Sequence, residues 1–222
     1  VEEVRALIND SGTKFDYYCW DLYASASAFY EAEDAEHALR SQTLQEIEAG
    51  DNETAAMAED VAMAIVRCHL RTMARINVRY DLLPRESDIL HLKFWDEAFS
   101  LLKSREAIFF QENGKNQGCW VMRLETESGT EEKVIVRSNQ TVTYVGKDIA
   151  YQLWKLGLLD RDFNYETLAY DSGQAPVWVT TSGKDTLDAH PAFGRGLTVY
   201  NVIDVRQSYP QTVVREGVRA LG

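Results

Sequence analysis

The chain has 222 residues, 45% of them apolar, and a formal net charge of −12. That length holds one large or two modest domains with a real core, while the acidic balance excludes a free-standing nucleic-acid-binding domain, whose phosphate contacts need a basic surface. No apolar run approaches the ~18 residues of a membrane span; the longest candidate covers 61–66.

The opening residues, VEEVRALIND, are acidic where a secretion signal is basic, and 1–8 reads as a connecting segment. Residues 15–31 carry Phe15, Tyr18, Cys19, Leu22, Ala26, Phe29 and Tyr30 at helical intervals, which predicts an aromatic-faced helix. A more polar helix is expected over 34–49, closed by Gly50-Asp51-Asn52. Over 53–76, Met57, Val61, Ile65, Cys68, Thr72 and Ile76 share one face, the mark of a core-facing helix. Asn77 breaks the pattern, and 78–83 reads as a strand ended by Pro84. The periodic run 89–103 predicts a helix with Ser87 as its N-cap. Short β-type pieces follow at 107–111, 119–124, 134–137 and 141–145, with turns at Asn113-Gly114 and Ser128-Gly129. A helix over 147–156 ends at Gly157. Next come a hairpin from 165–170 and 177–181 turning at 171–174, a loop over 183–196, an apolar strand over 199–205 and a final helix starting near 208–210. Cys19, Cys68 and Cys119 are too far apart for a zinc knuckle or a redox pair, so they read as buried reduced thiols of a cytoplasmic protein.

The stretch VIVRSNQTVTYVGKDIAYQLWK at 134–155 says the most. Its period switches from β-type to helical, and Tyr144 and Asp148 flank the switch, where a sheet delivers side chains into a ligand crevice. Glu86 follows the strand expected at 78–83, and Gln207 follows the one at 199–205. Two carboxylates and a phenol at such exits offer a guanidinium bidentate acceptors in its plane and a ring beside it. Each carboxylate is equally explained as a helix-start residue that complements the dipole. Generic catalytic signatures are missing: there is no G-x-G-x-x-G, Walker loop, G-x-S-x-G or H-E-x-x-H. His37, His69, His91 and His190 are scattered; His91 near Glu86 and Asp88 is a weak metal signal, so no metal site and no catalytic residue is assigned.

The run YVGKDIAY at 144–151, together with FDYYCW at 15–20, RESD at 85–88 and YNVIDVRQSY at 200–209, resembles arginyl-tRNA synthetases, in the same order along the chain. The resemblance runs from about residue 4 to residue 222 and is weakest from 160 to 196. It implies an α/β chain: part of a Rossmann-like, class I synthetase nucleotide-binding fold, with a helical N-terminal part and an inserted antiparallel β-rich module. Its divisions would be a mainly helical segment at 1–77, a strand, helix and β-rich insertion at 78–145, and a second-half Rossmann segment at 146–222 with a hairpin insertion near 160–197. It also implies an L-arginine pocket. Glu86, Tyr144 and Asp148 would take the side chain, and Gln207 the amino-acid backbone groups.

The ATP-binding signatures of that family, a His-Ile-Gly-His type motif and a Lys-Met-Ser-Lys-Ser type loop, are not in these residues. The resemblance therefore implies an internal piece of a catalytic domain that is inactive alone. In the parent protein ATP, with Mg as its substrate complex, and tRNA would engage other parts. Lys147 stands where the family often has an arginine. A stand-alone cation-binding module and a purely structural domain are the rival readings.

Overall fold

The structure, a computed structural model, describes residues 2–10, 14–31, 34–126, 129–168, 176–183, 187 and 189–221, with the backbone alone at 34–37 and 126. It divides into two compact units, Val1–Asp81 with Leu168–Val177, and Leu82–Thr167 with Trp178–Gly222.

The first unit is helical. Helix α1 spans Glu2–Asn9, α2 Phe15–Tyr30, α3 Asp34–Ala49 and α4 Glu53–Arg75. Residues 1–8 are thus helix rather than connector, because Leu7 and Ile8 pack on the cluster of Phe15, Ala64 and Cys68. Asn52 explains where α4 starts: its side chain accepts the Ala55 N–H at 2.9 Å. The aromatic face of α2 is less buried than its spacing implied. Phe15 is buried, while Tyr18, Leu22 and Phe29 of the same face are exposed.

The second unit starts with β1, only Leu82–Leu83. The expected strand over 78–83 is shorter because the Val78 N–H closes the end of α4 on the Met73 carbonyl at 2.9 Å, with Asn77 at φ +59°. Helices α5 (Glu86–His91) and α6 (Phe94–Ser104) replace one expected helix. Lys93, left-handed at φ +61°, breaks it, and Ser87 lies inside the first turn rather than capping it. Strands β2 (Phe109–Phe110), β3 (Trp120–Thr126) and β4 (Gly129–Val136) form an antiparallel sheet in chain order.

The expected strand over 141–145 is not formed beyond a lone bridge from Val142 to Val136. Thr143 wins that segment for a helix, since its hydroxyl accepts the Gly146 N–H at 3.4 Å and donates to the Ile135 carbonyl at 3.0 Å. Helix α7 therefore covers Tyr144–Lys155, starting a turn earlier than its apolar period suggested.

Strands β5 (Asn164–Leu168) and β6 (Val177–Thr181) follow, and β6 lies between β5 and β1, pairing with β1 in parallel. The expected turn at 171–174, and Ser128 of the earlier turn, lie outside the described residues. Residues 199–204 are not a strand: no described edge pairs with them, and Val202 is fully exposed. A short 3-10 helix, Val205–Gln207, leads into α8, Ser208–Arg219.

Around α7 the core holds Phe94, Trp95, Leu102, Ile135, Ile149, Leu153 and Val213, and Phe94 stacks on Phe163 with ring centroids 4.2 Å apart. The α/β class is as expected. Cys68 is buried, whereas Cys19 and Cys119 are half-buried; all three are free thiols. No helix among the described residues is long and apolar enough to cross a membrane.

Gly157 ends α7 at φ +69°, and a β-carbon there would come within 2.8 Å of the Arg195 side chain and 3.1 Å of its backbone. Gly157→Ala is expected to cost about 1 kcal/mol or somewhat more, seen as a lower urea midpoint with an unchanged slope.

Candidate functional site

Two helix starts build the site. Pro84 and Arg85 carry the chain from β1 into α5, and the Thr180 hydroxyl of β6 accepts the Arg85 N–H at 2.8 Å. The same hydroxyl donates to the Asp88 carboxylate at 2.6 Å, and both side chains are shut from solvent. Burial pushes the Asp88 carboxyl up, against the pull of Thr180, Arg85, His91 and Ser182. This clamp holds the turn on which Glu86 is the first helical residue. Across from it, Thr143 fixes the start of α7, and Tyr144 and Asp148 lie four residues apart on that helix.

Glu86 and Asp148 lie within range of each other's charge. The ammonium of Lys147 is 3.0 Å from Glu86 Oε1, and Asp148 feels the Glu86 charge. Its carboxyl is pushed up first by burial and then by Glu86, with Lys155 and Lys147 opposing. Among the described residues none donates a hydrogen bond to the Asp148 carboxylate. Tyr144 is half exposed; Lys133 of β4 lies 5.8 Å from its ring and 5.3 Å from that of Tyr209, whose hydroxyl is 3.3 Å from Glu131.

Gln207 is exposed at the end of the 3-10 helix. No hydrogen bond or ion pair among the described residues joins it to Glu86, Tyr144 or Asp148. Nor do two cavities among the described residues contain any of these four. One, of about 900 Å³ in the helical unit, is lined by Phe15, Arg67, Cys68 and Arg71 among others. The other, of about 400 Å³, is lined by Phe109, Met122, Arg123 and Arg219 among others. No group of three or more metal-ligating side chains occurs among the described residues.

Sequence reasoning missed several members of this face. Gln152 and Lys155 continue the line of Asp148 along α7, and both reach Asn201: the Lys155 ammonium donates to Asn201 Oδ1 at 3.2 Å, and Asn201 Nδ2 donates to Gln152 at 3.2 Å and to Gln211 at 2.9 Å. Lys155 also covers the Tyr151 ring at 4.2 Å, and burial raises the Tyr151 hydroxyl to about 12. The i, i+4 and i+7 spacing from Asp148 was a signal for Gln152 and Lys155. Asn201, Tyr209 and Thr180 had none, since only tertiary folding brings them here. Chemically, the face can pair a planar cation through Asp148 and Glu86 and offers it an aromatic neighbour.

No family model matches the chain. Among curated proteins it is 32% identical over 228 residues to the arginine–tRNA ligase of Thermococcus kodakarensis, covering 100% of this chain and 35% of that protein. The Deinococcus radiodurans arginine–tRNA ligase is 32% identical, over 96% of this chain and 34% of its own length. Among solved structures, Thermus thermophilus arginyl-tRNA synthetase superposes with a TM-score of 0.63 at 26% identity, covering 89% of this chain and 36% of that one. Matched along essentially its whole length to about 35% of such relatives, this chain belongs to the arginyl-tRNA synthetase family.

Proposed function

We propose that the protein containing this chain is an arginine–tRNA ligase, which activates L-arginine with ATP and transfers it to tRNA, and that this chain supplies the arginine pocket. The observation that carries the reading is that Lys147 of α7 reaches Glu86 at 3.0 Å, beside Asp148, which feels the Glu86 charge and takes no hydrogen bond among the described residues. Asp148 pairs with the guanidinium of the substrate, Glu86 adds a second acceptor, Tyr144 offers its ring and Gln207 holds the amino-acid backbone groups. The pocket works by position and charge, which is how much of the rate in such transfers arises.

No residue here is assigned to ATP or Mg, because the chain has none of the sequences with which the family holds them. Those contacts, and the grip on tRNA, belong to other parts of the protein. In this reading the chain is one piece of a cytoplasmic, Rossmann-like catalytic domain, with a helical part at 1–77, a β-rich insertion within 78–145 and a second-half segment at 146–222.

Arginine-dependent exchange of pyrophosphate into ATP is the test. The full-length protein is expected to catalyse it and the 222-residue chain alone to give none. Exchange by the pure chain would show that the ATP-binding groups lie within it. Arginine binding by a full-length protein that never exchanges would favour a plain binding module.

A further inference from the structure

The carboxylates proposed for arginine are not equally available. Glu86 already has a cation, the Lys147 ammonium at 3.0 Å, while Asp148 has no hydrogen-bond donor among the described residues. Lys147 is in an unfavourable place for a cation. It lies near the N-terminus of α7, the positive end of the helix dipole, and its side chain is only 14% exposed. A shielded ammonium needs partners, and the Glu86 carboxylate at 3.0 Å is one of them. The converse holds for Glu86, which is 63% exposed. Without Lys147 such a side chain samples many rotamers in water. Lys155, the other nearby ammonium, donates to Asn201 and covers the Tyr151 ring; its charge attracts Asp148 without a hydrogen bond to it.

We propose that Lys147 is a specificity-determining residue of the pocket, an internal counter-ion that holds one oxygen of Glu86 and so leaves acceptors suited to a guanidinium and unsuited to an ammonium. The inference rests on the arginine-pocket reading. The acceptors that remain are both oxygens of Asp148 and the second oxygen of Glu86. A guanidinium has five donors in a fixed plane and can engage both carboxylates at once. Its charge is spread over that plane and weakly hydrated, which softens repulsion from Lys147. The ammonium of a lysine ligand is a compact, strongly hydrated charge. It would stand beside the Lys147 ammonium and leave part of the acceptor set unmet, the kind of mismatch on which selectivity is built.

The test uses the full-length protein, with L-lysine as a competitor in arginine-dependent pyrophosphate exchange. The readout is the ratio of the lysine inhibition constant to the arginine KM, alongside the KM for ATP. Lys147→Met is expected to lower the ratio by about tenfold or more and to leave the KM for ATP unchanged. Lys147→Arg is expected to keep the ratio within about threefold, since a guanidinium can also hold Glu86. Lys147→Gln, which keeps a polar side chain, is expected to behave like Met and guards against a folding defect peculiar to one variant. An unchanged ratio in both Lys147→Met and Lys147→Gln overturns the proposal, as does a ratio that falls as far in Lys147→Arg. Asp148→Asn is measured in parallel. If it leaves arginine use untouched, the pocket reading itself fails; if it impairs arginine use while the lysine ratio never moves, only the role of Lys147 fails.

Discussion

Asp148→Asn in the full-length protein is expected to raise the KM for arginine on the order of a hundredfold, about 2–4 kcal/mol, because it removes one charge from a charge-assisted pair. The KM for ATP should hardly move. The substitution is nearly isosteric and Asp148 takes no hydrogen bond among the described residues, so the fold loses no hydrogen bond with it, only the attraction to Lys155 and Lys147. A pH signature accompanies the effect. Arginine pairs with ionised Asp148, and burial together with the Glu86 charge pushes that carboxyl up from its ordinary value. As pH falls, arginine use should therefore decline above the usual carboxylate range, and this acid limb should vanish in Asp148→Asn. An arginine KM equal to that of the parent would leave Asp148 as no more than a residue of the first turns of α7, where a carboxylate complements the dipole.

Much of the fold was legible because local chemistry decided it. Helix α3 matches its expected bounds, 34–49, and the end of α3 and start of α4 were written in Gly50, at φ +68°, and Asn52, whose side chain caps α4. Failures came where a partner distant in sequence decides. Residues 199–205 are rich in strand-forming side chains, yet a strand exists only against another edge, and no described edge pairs with them. At 141–145 a local contest went the other way: Thr143 caps α7 instead of extending a ladder. The break at Lys93 had no glycine to announce it. Glu86 and Asp148 stand out in the sequence as residues that follow expected strands and by the family resemblance; Glu86 does follow β1, but no strand forms at 141–145 and Asp148 lies on the second turn of α7. Lys147 is also local, but its role came into view only when α5 and α7 met and put its ammonium on Glu86.

Thr180→Val is expected to destabilise the fold by about 3 kcal/mol at neutral pH, measured by urea unfolding. The change keeps the side-chain shape and deletes one oxygen, which serves two buried groups at once. The Arg85 N–H loses its acceptor and the Asp88 carboxylate loses a donor; each orphaned group costs about 1–3 kcal/mol, and Ser182 remains to help Asp88. The two losses separate by pH. Burial already raises the Asp88 carboxyl in the fold, so its ionisation disfavours folding, and that penalty is relieved as pH falls through its folded pKa. The Thr180 hydroxyl favours the charged form, so its loss pushes Asp88 higher still. The Asp88 part of the destabilisation is then full at neutral pH and fades as the carboxyl protonates, while the Arg85 part remains at every pH. A destabilisation that stays constant across the acid range would mean that Asp88 does not depend on Thr180. Arg85 and Asp88 lie on either side of Glu86, so loosening this clamp frees the turn that holds Glu86 against Lys147 of α7. In the full-length protein Thr180→Val should thus raise the arginine KM even under conditions where the variant is fully folded.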